Sequence, residues 1–274
     1  MFNTENKIND VNDLKKIAKE VRKDILLEIF SAQSGHPGGA LSCADILVAI
    51  YFNQLNEGDR VILSKGHACA ALYATLAERG YFSKDELKTF RVLGSNLQGH
   101  PSLHKAPGID SPSGSLGQGL SVANGIALGF KLDNCANNVY CILGDGEIQE
   151  GQVWEAAMSS AHYKLDNLIA FLDYNKLQID GANADVMGIA PVKEKFESFG
   201  FYVQEIDGHN FNEIISAIET AKTEGKKLNK PSIIIANTIK GKGVSFMENQ
   251  PGWHGKAPNQ DEYEQAIKDI ELGG

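Results

Sequence analysis

The sequence predicts an α/β fold: a doubly wound parallel sheet flanked by helices. Three observations predict it. Residues 139–143 (VYCIL) and 168–172 (LIAFL) are unbroken apolar runs, as expected of strands buried on both faces. Between them, residues 151–163 place Val153, Ala156, Ala157 and Ala161 at helical spacing. Strand, helix, strand is a βαβ unit, and its right-handed crossover leaves both strand ends on one edge of the sheet. Further strands alternate with helices along the chain, each strand running into a loop on that edge.

Taken in order, residues 8–31 read as one amphipathic helix, with Ile8, Val11, Leu14, Ile17, Val21, Ile25, Leu26 and Ile29 on a common face. Ser34-Gly35-His36-Pro37-Gly38-Gly39 follows, and its three glycines and proline are expected to end regular structure. Helix resumes over 44–51. Residues 61–63 form a short strand leading into the loop Ser64-Lys65-Gly66-His67, with a helix over 68–78 behind it. Ser83 and Glu86 have the spacing of a capping box opening a helix that carries Leu87 and Phe90. Residues 94–119 are loop-rich, and so long an irregular segment within a domain points to function. Helix 120–132 leads into the central βαβ unit. Beyond it come a helix over 191–199, a strand over 202–206, a helix over 211–224 and a last buried strand over 232–236. Glycine-rich loops at 240–243 and 251–255 and an acidic helix over 261–272 follow. No repeat or low-complexity linker interrupts residues 1–274, which read as a single domain.

Composition narrows the function. The chain of 274 residues carries 26 basic and 35 acidic residues, a net charge of −9, with no basic stripe to serve a nucleic acid. Residues 1–16 lack an apolar leader, and no apolar run reaches membrane-spanning length. Cys43, Cys69, Cys135 and Cys141 have no CxxC spacing, which fits reduced thiols. The expectation is a cytoplasmic protein.

The chemistry concentrates at the ends of the two central strands. Gly144-Asp145-Gly146 turns a carboxylate out after the first, and Asn175 follows the second. A Gly-Asp-Gly on its own is an ordinary turn; an asparagine at the matching edge of the next strand makes it a candidate site. Carboxylate, amide oxygen and main-chain carbonyls form a hard-oxygen set that suits Mg²⁺ or Ca²⁺ and not zinc. Mg²⁺ with few protein ligands shares its octahedron with phosphates, and the helix start near Glu150-Gly151 offers free N–H groups to an anion. These residues point to a metal-bridged diphosphate. A dinucleotide fingerprint fails because residue 149 is glutamine, and no P-loop motif occurs. His36, His67, His100 and His254 sit in loops that share the same edge, where neutral imidazoles could shuttle protons or bind oxyanions. Lys65, Lys240, Lys242 and Lys256 border those loops, whereas His104, His162 and His209 read as structural or solvated.

Seven stretches, taken together, resemble transketolase motifs in transketolase order: SGHPGG (34–39), SKGHACAALYATLAERGYF (64–82), GHP (99–101), GSLGQGLSVANG (114–125), GDGEIQEGQVWEAA (144–157), NKLQIDG (175–181) and KGKGVSFMENQPGWHGK (240–256). The resemblance implies the thiamine diphosphate-binding fold and the transfer of a two-carbon ketol unit between sugar phosphates. It implies that Asp145, Asn175 and the main-chain oxygen of Leu177 bind Mg²⁺, with Ca²⁺ or Mn²⁺ as substitutes. His67, Gly114, Ser115, Leu116, Gly146, Glu150, Asn175, Lys240 and His254 would meet the cofactor, Glu150 lying near a subunit interface. His36, His67, His100 and His254 would carry the catalytic role. The family's pyrimidine-binding domain, its catalytic glutamate and its main phosphate-binding arginines have no counterpart in these 274 residues. The expectation is therefore the N-terminal subunit of a split transketolase, partnered by a C-terminal subunit in an α₂β₂ assembly. Deoxyxylulose phosphate synthase and the α subunit of a 2-oxo acid dehydrogenase fit less well, because of Ser34–Pro37 and the Trp253-His254-Gly255 loop. A split enzyme for another sugar phosphate, or a non-catalytic regulator on the same fold, is the alternative.

Overall fold

In the computed structural model, which describes residues 7–273, seven strands are present among the described residues. They are β1 (Arg60–Leu63), β2 (Val139–Gly144), β3 (Leu168–Tyr174), β4 (Leu177–Gln178), β5 (Gly181–Ala182), β6 (Tyr202–Asp207) and β7 (Ser232–Asn237). The first six residues, part of the stretch read above as lacking a leader, and Gly274 lie outside the described residues. Five strands form a wholly parallel sheet in the order β1-β2-β3-β7-β6, and β4 and β5 make a separate two-stranded antiparallel hairpin.

The apolar runs explain why the sheet is covered on both sides. Successive side chains of a strand point to opposite faces. Tyr140, Ile142, Ile169, Phe171, Ile234 and Ala236 face one helical layer, formed by α1 (Val11–Ala32), α2 (Pro37–Ser42), α3 (Ala44–Ala49), α4 (Cys69–Glu78) and, later in the chain, the helices Phe211–Thr220 and Gln260–Leu272. Cys141, Leu143, Leu168, Ala170, Leu172, Ile233 and Ile235 face the other layer, built on α5 (Gly119–Leu132) and α6 (Gly151–His162). Each fully buried aliphatic or aromatic side chain contributes roughly 1.5–3 kcal/mol, so β2, β3 and β7, buried along nearly their whole length, could lose neither face cheaply. The remaining helices are α7 (Asn183–Val186), α8 (Val192–Ser198), α9 (Phe211–Thr220) and α10 (Gln260–Leu272). Among the described residues no helix is long and apolar enough to cross a membrane.

Two local expectations are corrected. Pro37-Gly38-Gly39 does not end regular structure but opens α2. Proline at the first helical position needs no N–H partner and has its φ preset. A Cβ on Gly38 would lie 2.9 Å from the Trp253 carbonyl oxygen and 3.0 Å from Lys240 Cγ, so the helix is glycine-rich because the site's loops press against it. Ser83 does not form a capping box: its Oγ accepts from Asp85 N at 3.3 Å and opens a 3₁₀ turn over Lys84–Thr89. The helix read over 44–51 extends as a π-helical turn through Ile50–Gln54.

Candidate active site

The register sets the site. Gly144 lies opposite Asp173, so β2 and β3 end level and deliver Asp145 and Asn175 side by side. The loops after β1 and β7 converge on the same edge, and a cavity of about 350 Å³ opens there, with Asp145, Asn175, Leu177, His36, His67, Lys240 and His254 on its wall.

Its oxygen-bearing corner is built mostly by the backbone. Asp145 is 3% exposed; one carboxylate oxygen accepts from Gly146 N at 2.7 Å and the other from Lys176 N. Asn175 Oδ1 accepts from Leu177 N at 3.1 Å, and the Leu177 carbonyl accepts from the Lys240 ammonium at 3.2 Å. Burial, then the neighbouring Asp173 charge, pushes the Asp145 carboxyl up to about 6. A buried carboxylate with two N–H donors still lacks a cation, and an ammonium already rests on the carbonyl beside it. That is the environment a hard cation fits. Among the described residues no three His, Cys, Asp or Glu side chains gather as a metal-holding group. The corner instead offers one carboxylate, one amide and one carbonyl. The hairpin β4–β5 carries Leu177 and turns Ile179 and Asp180 toward the cavity mouth.

Opposite stand three imidazoles. The ring centroids of His36 and His67 are 5.3 Å apart, those of His36 and His254 5.5 Å, and those of His67 and His254, which stack, 5.2 Å. Burial, followed by the Arg91 charge, lowers His36 to about 4. Burial, followed by Lys240, lowers His254 to about 3. Burial and then Lys65 hold His67 well below its ordinary value. All three are neutral at physiological pH, each with one N–H and one lone pair. Lys240 Nζ lies 2.9 Å from His254 Nδ1, and burial, with Lys65 next, lowers that ammonium to about 8.

Beneath the cavity runs a buried polar network. Lys65 is 1% exposed; its ammonium pairs with Asp173 and donates to the Gly39 carbonyl at 2.8 Å. Asp173 also accepts from Ser42 Oγ at 2.5 Å and from Thr238 Oγ1. Lys65, which in the sequence only borders the edge loops, is thus committed to clamping α2 onto β3. Glu147 accepts from Ser64 Oγ, from Gly117 N at 2.9 Å and from Gly144 N at 2.9 Å, which fixes the 114–119 loop against the ends of β1 and β2. Lys242 pairs with Glu248 at 3.4 Å and Lys256 with Glu262 at 2.6 Å, both outside this cavity.

Gly114, Leu116, Gly146 and Glu150 also line the cavity. Ser115 is solvent-exposed and not on its wall, and His100 sits at an exposed rim, its ring 3.8 Å from where a Cβ on Gly114 would stand. No sequence motif singles out Arg91, yet it belongs to the site. Its guanidinium donates to Ser34 Oγ at 2.7 Å and to the Gly99 carbonyl at 3.3 Å, and reaches His36 Nδ1 at 3.4 Å. A single arginine in an irregular loop carries no periodicity that could mark it.

Known proteins share this architecture. The family description "Transketolase, thiamine diphosphate binding domain" matches residues 14–273. The chain is 44% identical to the 6-deoxy-6-sulfo-D-fructose transketolase subunit SqwG of a Clostridium species, over 96% of this chain and 98% of that one. It is 41% identical to an apulose-4-phosphate transketolase subunit of Actinobacillus succinogenes, over 94% and 96% respectively. Its fold superposes on the crystal structure of a Campylobacter jejuni transketolase with a TM-score of 0.88 and 33% identity, covering 96% of this chain and 43% of that one.

Proposed function

Because this chain belongs to the transketolase family, as its thiamine diphosphate-binding domain, we propose that it is the N-terminal subunit of a split ketol transferase. In this reading the pyrimidine-binding domain and the catalytic glutamate reside on a separate C-terminal subunit, in an α₂β₂ assembly. The word "subunit" in the names of two relatives that match over nearly their full length supports that arrangement. The observation that carries the proposal is the juxtaposition, in one cavity, of the Asp145–Asn175–Leu177 oxygens with the neutral His36–His67–His254 cluster.

Asp145, Asn175 and the Leu177 carbonyl would hold Mg²⁺, which Ca²⁺ or Mn²⁺ could replace. Gly114, Leu116, Gly146 and the uncapped N–H groups at the start of α6 would receive the diphosphate, with Ser115 outside the cavity wall. Bound thiamine diphosphate supplies the carbanion-stabilising chemistry on which ketol transfer depends. The chain's own task is positioning and proton handling. His36, His100 and His254 would meet substrate hydroxyls and the carbonyl undergoing transfer. Half-buried His67 would sit nearest the cofactor. Lys240, beside both the Leu177 carbonyl and His254, would add positive charge where negative charge develops. Glu150 would lie on the cavity wall near a subunit interface.

The substrates of this reading are xylulose 5-phosphate as donor and ribose 5-phosphate as acceptor. A second reading, another sugar, is favoured by the relatives named for 6-deoxy-6-sulfo-D-fructose and apulose 4-phosphate. The chain, alone and with a co-purified C-terminal subunit, would be assayed for ketol transfer with Mg²⁺ and thiamine diphosphate. Activity from the pair and none from the single chain is expected; turnover by the pure single chain would overturn the split-subunit reading. The same assay run with the three donors decides between the pentose phosphate and the alternatives.

A further inference from the structure

A second cavity, of about 360 Å³, lies away from the active site, between α1, the loop after β7 and α10. In a chain of net charge −9, its lining is basic. Lys15, Lys19 and Arg22 form one stripe of α1 at spacings of about one helical turn, and Lys242 faces them from the loop. One carboxylate, Asp45, stands on the floor. It is held by both Nη atoms of Arg22, at 3.0 and 2.6 Å, and by His209 Nδ1 at 2.7 Å. His209 Nε2 accepts from Ile239 N at 2.9 Å, so the ring is the neutral Nδ1–H tautomer and adds no charge. Lys19 donates to the Glu271 carbonyl at 2.6 Å, and Lys242 shares Glu248 at 3.4 Å. Lys15 has no partner among the described residues.

The decisive atom is Arg22 Nε. Arg22 is 8% exposed, and its Nε–H is buried with no hydrogen-bond partner among the described residues. Such a donor is costly to leave unmet, and Gly243, which packs against it, has no side chain to cover it. Ala18, Phe211 and Ile270 give the cavity an apolar side. A buried donor, three lysines around it and an apolar wall match a dianionic head on a small carbon body. We propose that this cavity is a second anion site that binds a phosphate monoester, with Arg22 Nε and Lys15, Lys19 and Lys242 as its donors.

Calorimetric titration of the full chain with glycerol 3-phosphate, and separately with inorganic phosphate, tests this at fixed ionic strength. Saturable binding is expected, weakened roughly five- to tenfold in the Lys15→Ala/Lys19→Ala variant, as for the loss of two partly exposed ion pairs. Lys15 is exposed and Lys19 half-buried on the helix surface, so the fold is retained, and circular dichroism checks it. A Lys227→Ala/Lys230→Ala control, equal in charge but remote, should bind as the parent does. Tighter binding of the ester supports the monoester, whereas equal binding assigns the site to the free ion. Absence of saturable binding, or equal weakening in the control, would overturn the proposal. So would unchanged affinity in the α1 variant, since the ligand would then sit elsewhere.

Discussion

Replacing Lys65 with methionine tests whether the floor of the site is structural. The Lys65 side chain is 2% exposed and that of Asp173 fully buried. Methionine keeps most of the volume but leaves Asp173 facing only the hydroxyls of Ser42 and Thr238. Stripping one partner from a buried ion pair costs about 3–5 kcal/mol, because the other charge stays in place without compensation. The Gly39 carbonyl loses its 2.8 Å donor as well, at about 1 kcal/mol. For a chain of this size the combined loss of about 4–6 kcal/mol lowers Tm by roughly 8–24 °C. Thermal and urea unfolding followed by circular dichroism would measure it. Adding Asp173→Asn removes the orphaned charge, so the double variant should recover about 2 kcal/mol relative to additivity. A Lys65→Met protein within about 1 kcal/mol of the parent, or strictly additive variants, would refute the account of Lys65 as a clamp.

Asp145→Ala should leave the fold intact and abolish Mg²⁺-dependent binding of thiamine diphosphate; unchanged affinity in calorimetry with the partner chain present would reject the metal assignment. His36 and His254 should stay neutral down to about pH 5, and His67 should titrate below its ordinary range; NMR titration of the imidazole nitrogens checks both, and an ordinary midpoint for any of the three would contradict the cluster's electrostatics. The sign follows from their lowered folded-state values: the unfolded chain takes up protons that the folded cluster refuses, so stability falls as pH drops below about 6.5 and the loss levels off once the folded rings protonate. Of the four cysteines only Cys135 is exposed, and burial pushes Cys43 up to about 12. A thiol reagent should therefore modify one cysteine in the native protein and four after denaturation, and fast labelling of a second native thiol would show the core to be looser than described.

How much can be read from the chain depends on how local each signal is. The runs at 139–143 and 168–172 announce buried strands because both faces are covered, and the one-edge placement of Asp145 and Asn175 follows from the two strands being parallel. Helix α2 is hidden because proline and glycine usually punctuate structure. Here the close packing of Lys240 and Trp253 against Gly38 decides, and that contact spans more than two hundred residues of sequence. Lys65 resembles a free ligand in the sequence for the same reason: its partner, Asp173, is 108 residues away. The hairpin that presents Leu177 has strands of two residues, too short for alternation to register. The Leu177 carbonyl comes instead from the family resemblance.

Burial, and after it the charges around the cavity, account for the histidines' state. Two ammonium groups, Lys65 and Lys240, and two carboxylates, Asp145 and Asp173, stand within one buried polar cluster, and they are not interchangeable. Lys65 and Asp173 satisfy each other; Lys240 and Asp145 do not pair, and each is shifted toward its neutral form, to about 8 and about 6. Lys240 stands between the carboxylate corner and the imidazoles, its ammonium on the Leu177 carbonyl and beside His254 Nδ1. Protonation of the imidazoles is penalised first by burial and then by a nearby cation, Arg91 for His36, Lys65 for His67 and Lys240 for His254. They are thereby held as neutral groups, each able to donate and accept at once. The carboxylate end is left with unmet negative charge, and a divalent cation arriving there would meet the demand that burial created. One sheet edge thus carries a cation-seeking corner and a proton-handling corner, and Lys240 joins them through the Leu177 carbonyl and His254.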